Sequence, residues 1–187
     1  MISLDKVSVS FAGKQILKNF SITFNDGEFV CLLGASGCGK TTILRLASGL
    51  SLPDSGEIMR DESLRQSFVF QENRLLPWYD ALGNILAIAN DRERAQYYLR
   101  EIGLGEDMHK FPNELSGGMK RRLSIARALA FGGDVFFLDE PLRELDKKTA
   151  LLVHDLLKKE LKGKTVIMVT HIPEQASLLA DRTITLG

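Results

Sequence analysis

Phe29-Val30-Cys31-Leu32-Leu33 runs straight into Gly34-Ala35-Ser36-Gly37-Cys38-Gly39-Lys40-Thr41. No other feature constrains the fold as strongly. A short unbroken apolar run reads as a strand buried on both faces. The segment after it matches G-x-x-x-x-G-K-[ST], and a helical pattern follows from Thr41 to Leu50. Glycines at 34, 37 and 39 let successive backbone N–H groups turn inward around a phosphate. The helix N-terminus adds a positive partial charge. Lys40 brings a point charge to β- and γ-phosphates, and Thr41 a hydroxyl for Mg²⁺. Cys38, inside the loop, reads as a small neutral filler exposed to thiol reagents.

Two further apolar runs complete a sheet. Val135-Phe136-Phe137-Leu138 ends in Asp139-Glu140-Pro141, and Thr165 to Thr170 ends in His171. An amphipathic helix, Lys147 to Leu161, lies between them and stops at Gly163-Lys164. Strand–helix–strand spacing of this length implies right-handed crossovers and a parallel sheet. Ligands of open α/β sheets bind beyond the carboxyl ends of the strands. Two carboxylates at the mouth of an apolar strand are costly without a cation. Asp139 is therefore the expected Mg²⁺ holder, Glu140 the group that polarises an attacking water, and His171 a further contact at the same edge.

The remaining chain is organised around this core. Ile2 to Phe11 and Gln15 to Phe24 alternate apolar and polar residues across Ala12-Gly13-Lys14, with a slip at Asp5-Lys6, which predicts an antiparallel hairpin. Glu57 to Arg60 and Ser67 to Gln71 read as short strands. From Leu82 to Ile102 the pattern is helical, and a helix spans Met119 to Ala130. Before that helix stands Leu115-Ser116-Gly117-Gly118-Met119, a second phosphate-shaped turn with no strand leading into it. The basic run Lys120-Arg121-Arg122 reads as a solvated helix face, and His109 and His154 read as surface residues.

Composition excludes several classes. Lysines plus arginines equal aspartates plus glutamates at 24 each, so bulk charge does not point to nucleic acid. The two cysteines, Cys31 and Cys38, lack metal-ligand spacing and do not form a disulfide framework. No stretch approaches roughly 18 consecutive apolar residues. MISLDKVSVS lacks the basic and apolar regions of a signal peptide, so a cytosolic chain is expected.

Gly34 to Thr41, Gln71, Leu115 to Gly118, Asp139-Glu140 and His171 occur in the order found in nucleotide-binding subunits of ABC transporters, and the chain resembles that family over its whole length. Val69-Phe70-Gln71-Glu72-Asn73-Arg74-Leu75-Leu76-Pro77-Trp78 and the methionine of LSGGM resemble the nitrate, sulfonate and taurine importer subfamily. The resemblance implies an α/β P-loop NTPase fold with a mostly parallel sheet and an N-terminal antiparallel β subdomain. A helical subdomain, approximately residues 72–130, would be inserted in a RecA-like core, all within a single domain, 1–187. It implies an Mg²⁺-dependent ATPase. ATP would be held by Gly34, Ala35, Ser36, Gly37, Cys38, Gly39, Lys40, Thr41 and Thr42, with Phe11 stacked on adenine. Gln71, Thr41 and Asp139 would reach the metal, and Glu140, His171 and Gln71 would serve hydrolysis.

The same resemblance implies head-to-tail pairing with a second copy or a paired ATPase subunit. Ser116, Gly117 and Gly118 would then cap the partner's ATP. Transmembrane permease subunits, and indirectly an extracytoplasmic solute-binding protein, are the implied partners. The place implied is the cytoplasmic face of the membrane, with Glu72 to Leu82 docking the permease. Family members usually carry a small residue where Glu144 stands, and they often continue with helices beyond Thr183 to Gly187. The alternatives are an exporter motor and a soluble, non-transport ABC-type ATPase. A P-loop kinase or GTPase would leave LSGGM without a role.

Overall fold

In the computed structural model, which describes residues 1–187, the chain divides into two compact units. One comprises Met1–Gln66, Asp134–Asp139 and Gly163–Gly187; the other comprises Ser67–Gly133 and Glu140–Lys162.

The first unit holds both β layers. Strand β1 (Ile2–Phe11) pairs antiparallel with β2 (Lys14–Phe24). The slip at Asp5-Lys6 is a register shift between Leu4 and Val7, where Lys6 takes a φ of 48°. The extra residue returns the alternation to phase, so Ile2, Leu4, Val7 and Val9 are all buried. The parallel layer contains β3 (Phe29–Gly34), and three further strands run with it. Of these β6 (Val135–Asp139) and β7 (Thr165–Thr170) are the predicted apolar runs, and β8 is Arg182–Leu186. Their order is β6-β7-β3-β8. Strand β4 (Ser55–Met59) instead joins β1 on the side away from β2. β8 carries no unbroken apolar run because β3 supplies its register and its outward residues alternate to the surface.

Helix α1 (Lys40–Ser48) packs on β3, β6 and β7. It ends at Gly49, whose left-handed φ of 74° returns its N–H to Leu46. After β5 (Gln66–Val69), the second unit is helical. The periodic stretch from Leu82 to Ile102 is two helices, α2 (Ala81–Ala89) and α3 (Arg92–Glu101). Asn90 caps the first in the left-handed region, and the Asp91 carboxylate accepts from the Arg94 N–H to start the second. Helix α4 (Gly117–Phe131) packs against both. Helix α5 (Lys147–Glu160) is tied to α3 by the Tyr98 hydroxyl, which donates to Glu160 Oε2 at 2.7 Å. His154 is buried on α5, 7% exposed, rather than at the surface, because its side chain falls on the same stripe as Val153 and Leu157. A short helix α6 (Pro173–Leu179) returns the chain to β8 in the first unit. Pro173 opens it where a missing N–H costs nothing.

Candidate functional site

Parallel register brings the first unit's predicted residues to one edge. Leu33 stands opposite Thr170, and Asp139 opposite Val169. The loop starting at Gly34, the Asp139 carboxylate and His171 therefore all emerge at the carboxyl ends of neighbouring strands. Thr170 shapes the exit of β7: its hydroxyl donates to Gln175 Oε1 and accepts from the Ile172 N–H. His171 is exposed there.

The loop is built for close approach. A Cβ on Gly34 would lie 2.4 Å from the Leu186 carbonyl oxygen and 2.8 Å from Cys38 Sγ, so any larger residue forces the loop or β8 to shift. Gly39, the residue before α1, holds a φ of 98° that L side chains rarely adopt. Lys40 is 7% exposed, and its ammonium donates to the Gly34 and Ala35 carbonyls at 2.7 and 2.8 Å. The ammonium thus rests on two loop carbonyls and beside Cys38 Sγ, with no carboxylate among these contacts, so its charge is not neutralised by them. A positive charge next to a helix N-terminus suits an anion. The Thr41 hydroxyl donates to the Asp139 carboxylate at 3.1 Å, and Asp139 is 5% exposed. One hydroxyl and one buried carboxylate in contact are a hard-oxygen pair suited to Mg²⁺.

Phe11 lies outside any core: it is 75% exposed, whereas Phe24 is fully buried. The hairpin therefore leaves an aromatic face open at its tip. Cys31 is buried and Cys38 half-buried, and neither is in a disulfide.

The second unit carries Gln71, Glu140 and the LSGG turn. Ser116 is the N-cap of α4, its hydroxyl accepting from the Met119 N–H at 3.3 Å. Ser116 and Gly117 are exposed. Glu144 lies against this turn: a Cβ on Gly117 would be 3.2 Å from its carboxylate oxygen. Glu144 takes a φ of 65° and pairs with Arg143 at 3.6 Å. A cavity of about 350 Å³ is lined by Gln71, Glu72, Asn73, Arg121, Arg143 and Glu144.

Arg121 overturns the reading of Lys120-Arg121-Arg122 as a solvated face. It is 2% exposed, and its guanidinium donates to the carbonyls of Phe70, Glu140 and Pro141. The signal was present in the helix spacing. Arg121, Ser124, Ile125 and Ala128 recur at i, i+3, i+4 and i+7, and all are buried. Arg122 likewise turns inward, to the carbonyls of Ile102 and Gly103. Arg127 donates to the Asn73 and Arg74 carbonyls, and burial pushes its pKa below the usual arginine value.

Asn84, fully buried, accepts from the Leu76 N–H and donates to the carbonyls of Leu76, Tyr79 and Asp80. It thereby fixes the loop that exposes Trp78 and Tyr79, 67% and 44% respectively. Leu75 and Leu76 in the same loop are half-buried, and the Asn84 contacts hold the Leu76 backbone onto α2.

A buried strand, an anion-cradling glycine loop on a helix N-terminus and an acidic strand end define a P-loop NTPase. Residues 17–143 match the family described as ABC transporter, and the chain belongs to that family. It is an ATP-binding cassette and an ATPase. It is 40% identical over 195 residues to the aliphatic sulfonates import ATP-binding protein SsuB of Zymomonas mobilis, covering 99% of this chain and 81% of that protein. The protein of the same description from Granulibacter bethesdensis is 40% identical over 191 residues, with 100% and 79% covered. Among solved structures, the dimeric bacterial ABC transporter cassette MJ0796 superposes with a TM-score of 0.89 at 33% identity, covering 100% of this chain and 94% of that one. A dimeric post-hydrolysis state of the same cassette, bound to ADP and Pi, gives 0.88 at 32% identity, with the same coverage. No helix of the chain is long and apolar enough to cross a membrane.

Proposed function

We propose that the chain is the ATP-hydrolysing subunit of an importer for sulfonate-like solutes, working at the inner face of the membrane beside separate permease subunits. The observation that carries the reading is the 40% identity, over essentially the whole chain, to aliphatic sulfonates import ATP-binding proteins. Residues 72–130 are read as the helical subdomain. The exposed pair Trp78 and Tyr79 is its candidate surface for a permease helix. An extracytoplasmic solute-binding protein would act through that permease.

Gly34 to Thr42 would bind the triphosphate, with Phe11 against the adenine. Lys40 would exchange its two loop carbonyls for phosphate oxygens. Thr41, Asp139 and Gln71 would hold Mg²⁺, which when bound neutralises charge on the β- and γ-oxygens. Glu140 would take the proton from the attacking water, and His171 would donate to the γ-phosphate. Positioning and charge stabilisation supply most of the rate.

Ser116 and Gly117 are exposed at a helix N-terminus, and with Gly118 they would cap the ATP held by a second subunit, giving an ATP-dependent head-to-tail dimer. The test is solution mass by light scattering of Glu140→Gln with and without Mg-ATP. A doubling of mass on ATP that Ser116→Arg abolishes supports the shared site. A mass that stays constant while ATP binds would sink it. Glu140→Gln should also lower turnover about 10²–10⁴-fold, with ATP binding retained.

A further inference from the structure

We propose that Arg121 is a positioning residue for hydrolysis, one that holds the segments bearing Gln71 and Glu140 in a fixed relation. The proposal rests on the assignment of those two residues to the reaction. Arg121 itself touches neither nucleotide nor water; it acts through backbone.

The geometry is that of a two-ended fork. On one side Nη2 donates to the Glu140 carbonyl at 2.7 Å, and Nε to the Pro141 carbonyl at 3.1 Å. On the other side Nη1 donates to the Phe70 carbonyl and lies 3.4 Å from both the Gln71 carbonyl and Asn73 Oδ1. These groups lie 19 to 51 residues away from Arg121 in the chain. The planar guanidinium presents its donors in fixed directions, so the two sets of carbonyls cannot drift independently. A lysine ammonium on a flexible stem could satisfy one set but not both in register.

Glu140 needs such a hold. Its φ is 52°, a left-handed conformation unfavourable for a residue with a Cβ. Strained backbone of this kind persists only where its surroundings over-determine it. The Nη2 donation to the Glu140 carbonyl fixes the peptide plane that follows Glu140, and so the direction in which its carboxylate leaves the chain. The Phe70 contact anchors the start of the Gln71 segment, while Gln71 itself is exposed and borders the cavity beside it. Because Arg121 lies one turn into α4, whose N-cap is Ser116, movement of the LSGG turn is transmitted through the same fork.

The experiment uses the full chain and steady-state ATP hydrolysis, with a fluorescent ATP analogue to read binding. Arg121→Lys keeps the buried charge, and Arg121→Gln keeps donors without it. Misplacement of a catalytic group by about 1 Å costs on the order of 10²-fold. Arg121→Lys should therefore lower kcat by about that factor, with KM and analogue affinity changed less than about threefold.

The decisive arm is a double-mutant cycle with Glu140→Gln. If Arg121 works by placing Glu140, adding Arg121→Lys to Glu140→Gln lowers the residual rate no further. An undiminished kcat in Arg121→Lys, an equal cost in both backgrounds, or loss of folding in both Arg121 variants would each overturn the proposal. Failure of Glu140 as the base shows separately, as wild-type turnover in Glu140→Gln alone.

Discussion

Adding one methyl group at Gly34 should separate the packing of the phosphate loop from its backbone conformation. In Gly34→Ala the new Cβ meets the Leu186 carbonyl oxygen at 2.4 Å, and that oxygen belongs to the backbone of a paired strand. Restoring ordinary contact requires the end of β8 to move by roughly 1 Å or the loop to lift off the sheet. Such overpacking costs about 1–3 kcal/mol. At about 2–4 °C per kcal/mol for a chain of this size, the melting temperature should fall by roughly 2–12 °C. The control is Gly37→Ala. No atom lies within 4 Å of its new Cβ, yet its φ is 84°. The penalty there is conformational, about 1–2 kcal/mol, and falls on the loop alone. Circular-dichroism melting without nucleotide, followed by titration with a fluorescent ATP analogue, gives both readings. Both variants should bind nucleotide more weakly, but Gly34→Ala should melt lower than Gly37→Ala. A Gly34→Ala protein that melts with the wild type would refute the close packing of the loop on β8.

Two further outcomes follow from the second unit. Asn84→Ala should cost about 1–3 kcal/mol, because the Leu76 N–H and the Tyr79 carbonyl lose their side-chain partner, whereas the Leu76 and Asp80 carbonyls keep backbone donors. Fluorescence of Trp78, the chain's one tryptophan, should change with it, and unchanged stability would show that the loop does not depend on Asn84. Burial, then the hydrogen bond and charge of Glu160, pushes the Tyr98 hydroxyl up to about 12. A raised folded pKa means that this contribution is fully present below about pH 10, the unfolded value, and is lost as pH rises towards 12. Absorbance titration should show a late tyrosine phase that Tyr98→Phe removes; a titration unchanged by Tyr98→Phe would contradict the burial argument.

The predicted site residues follow two different logics. Gly34 to Thr41, Asp139 and His171 lie next to apolar runs, so their common edge could be foreseen once a parallel sheet was inferred. Ser116 could be foreseen as a cap because the group it accepts from, the Met119 N–H, is three residues away. The break at Asn90-Asp91 was legible in principle, since both residues are standard cap formers, but the apolar spacing continues across it and masked the stop. His154 and Arg121 depart from the sequence expectation for another reason: a polar side chain on a buried stripe looks solvated until its partners are known.

The order and type of most elements, the phosphate loop and the acidic strand end are all written in local pattern. These depend on periodicity, on glycine backbone freedom and on hydrogen bonds closed within a few residues. That β8 pairs with β3, that Glu144 rests against Gly117, and that Arg121 is a buried fork rather than a surface charge emerges only in the folded chain. Each of those contacts joins groups distant along the chain. Whether such a group is hydrated or bound depends on what the folded backbone brings to it, and no local pattern carries that information.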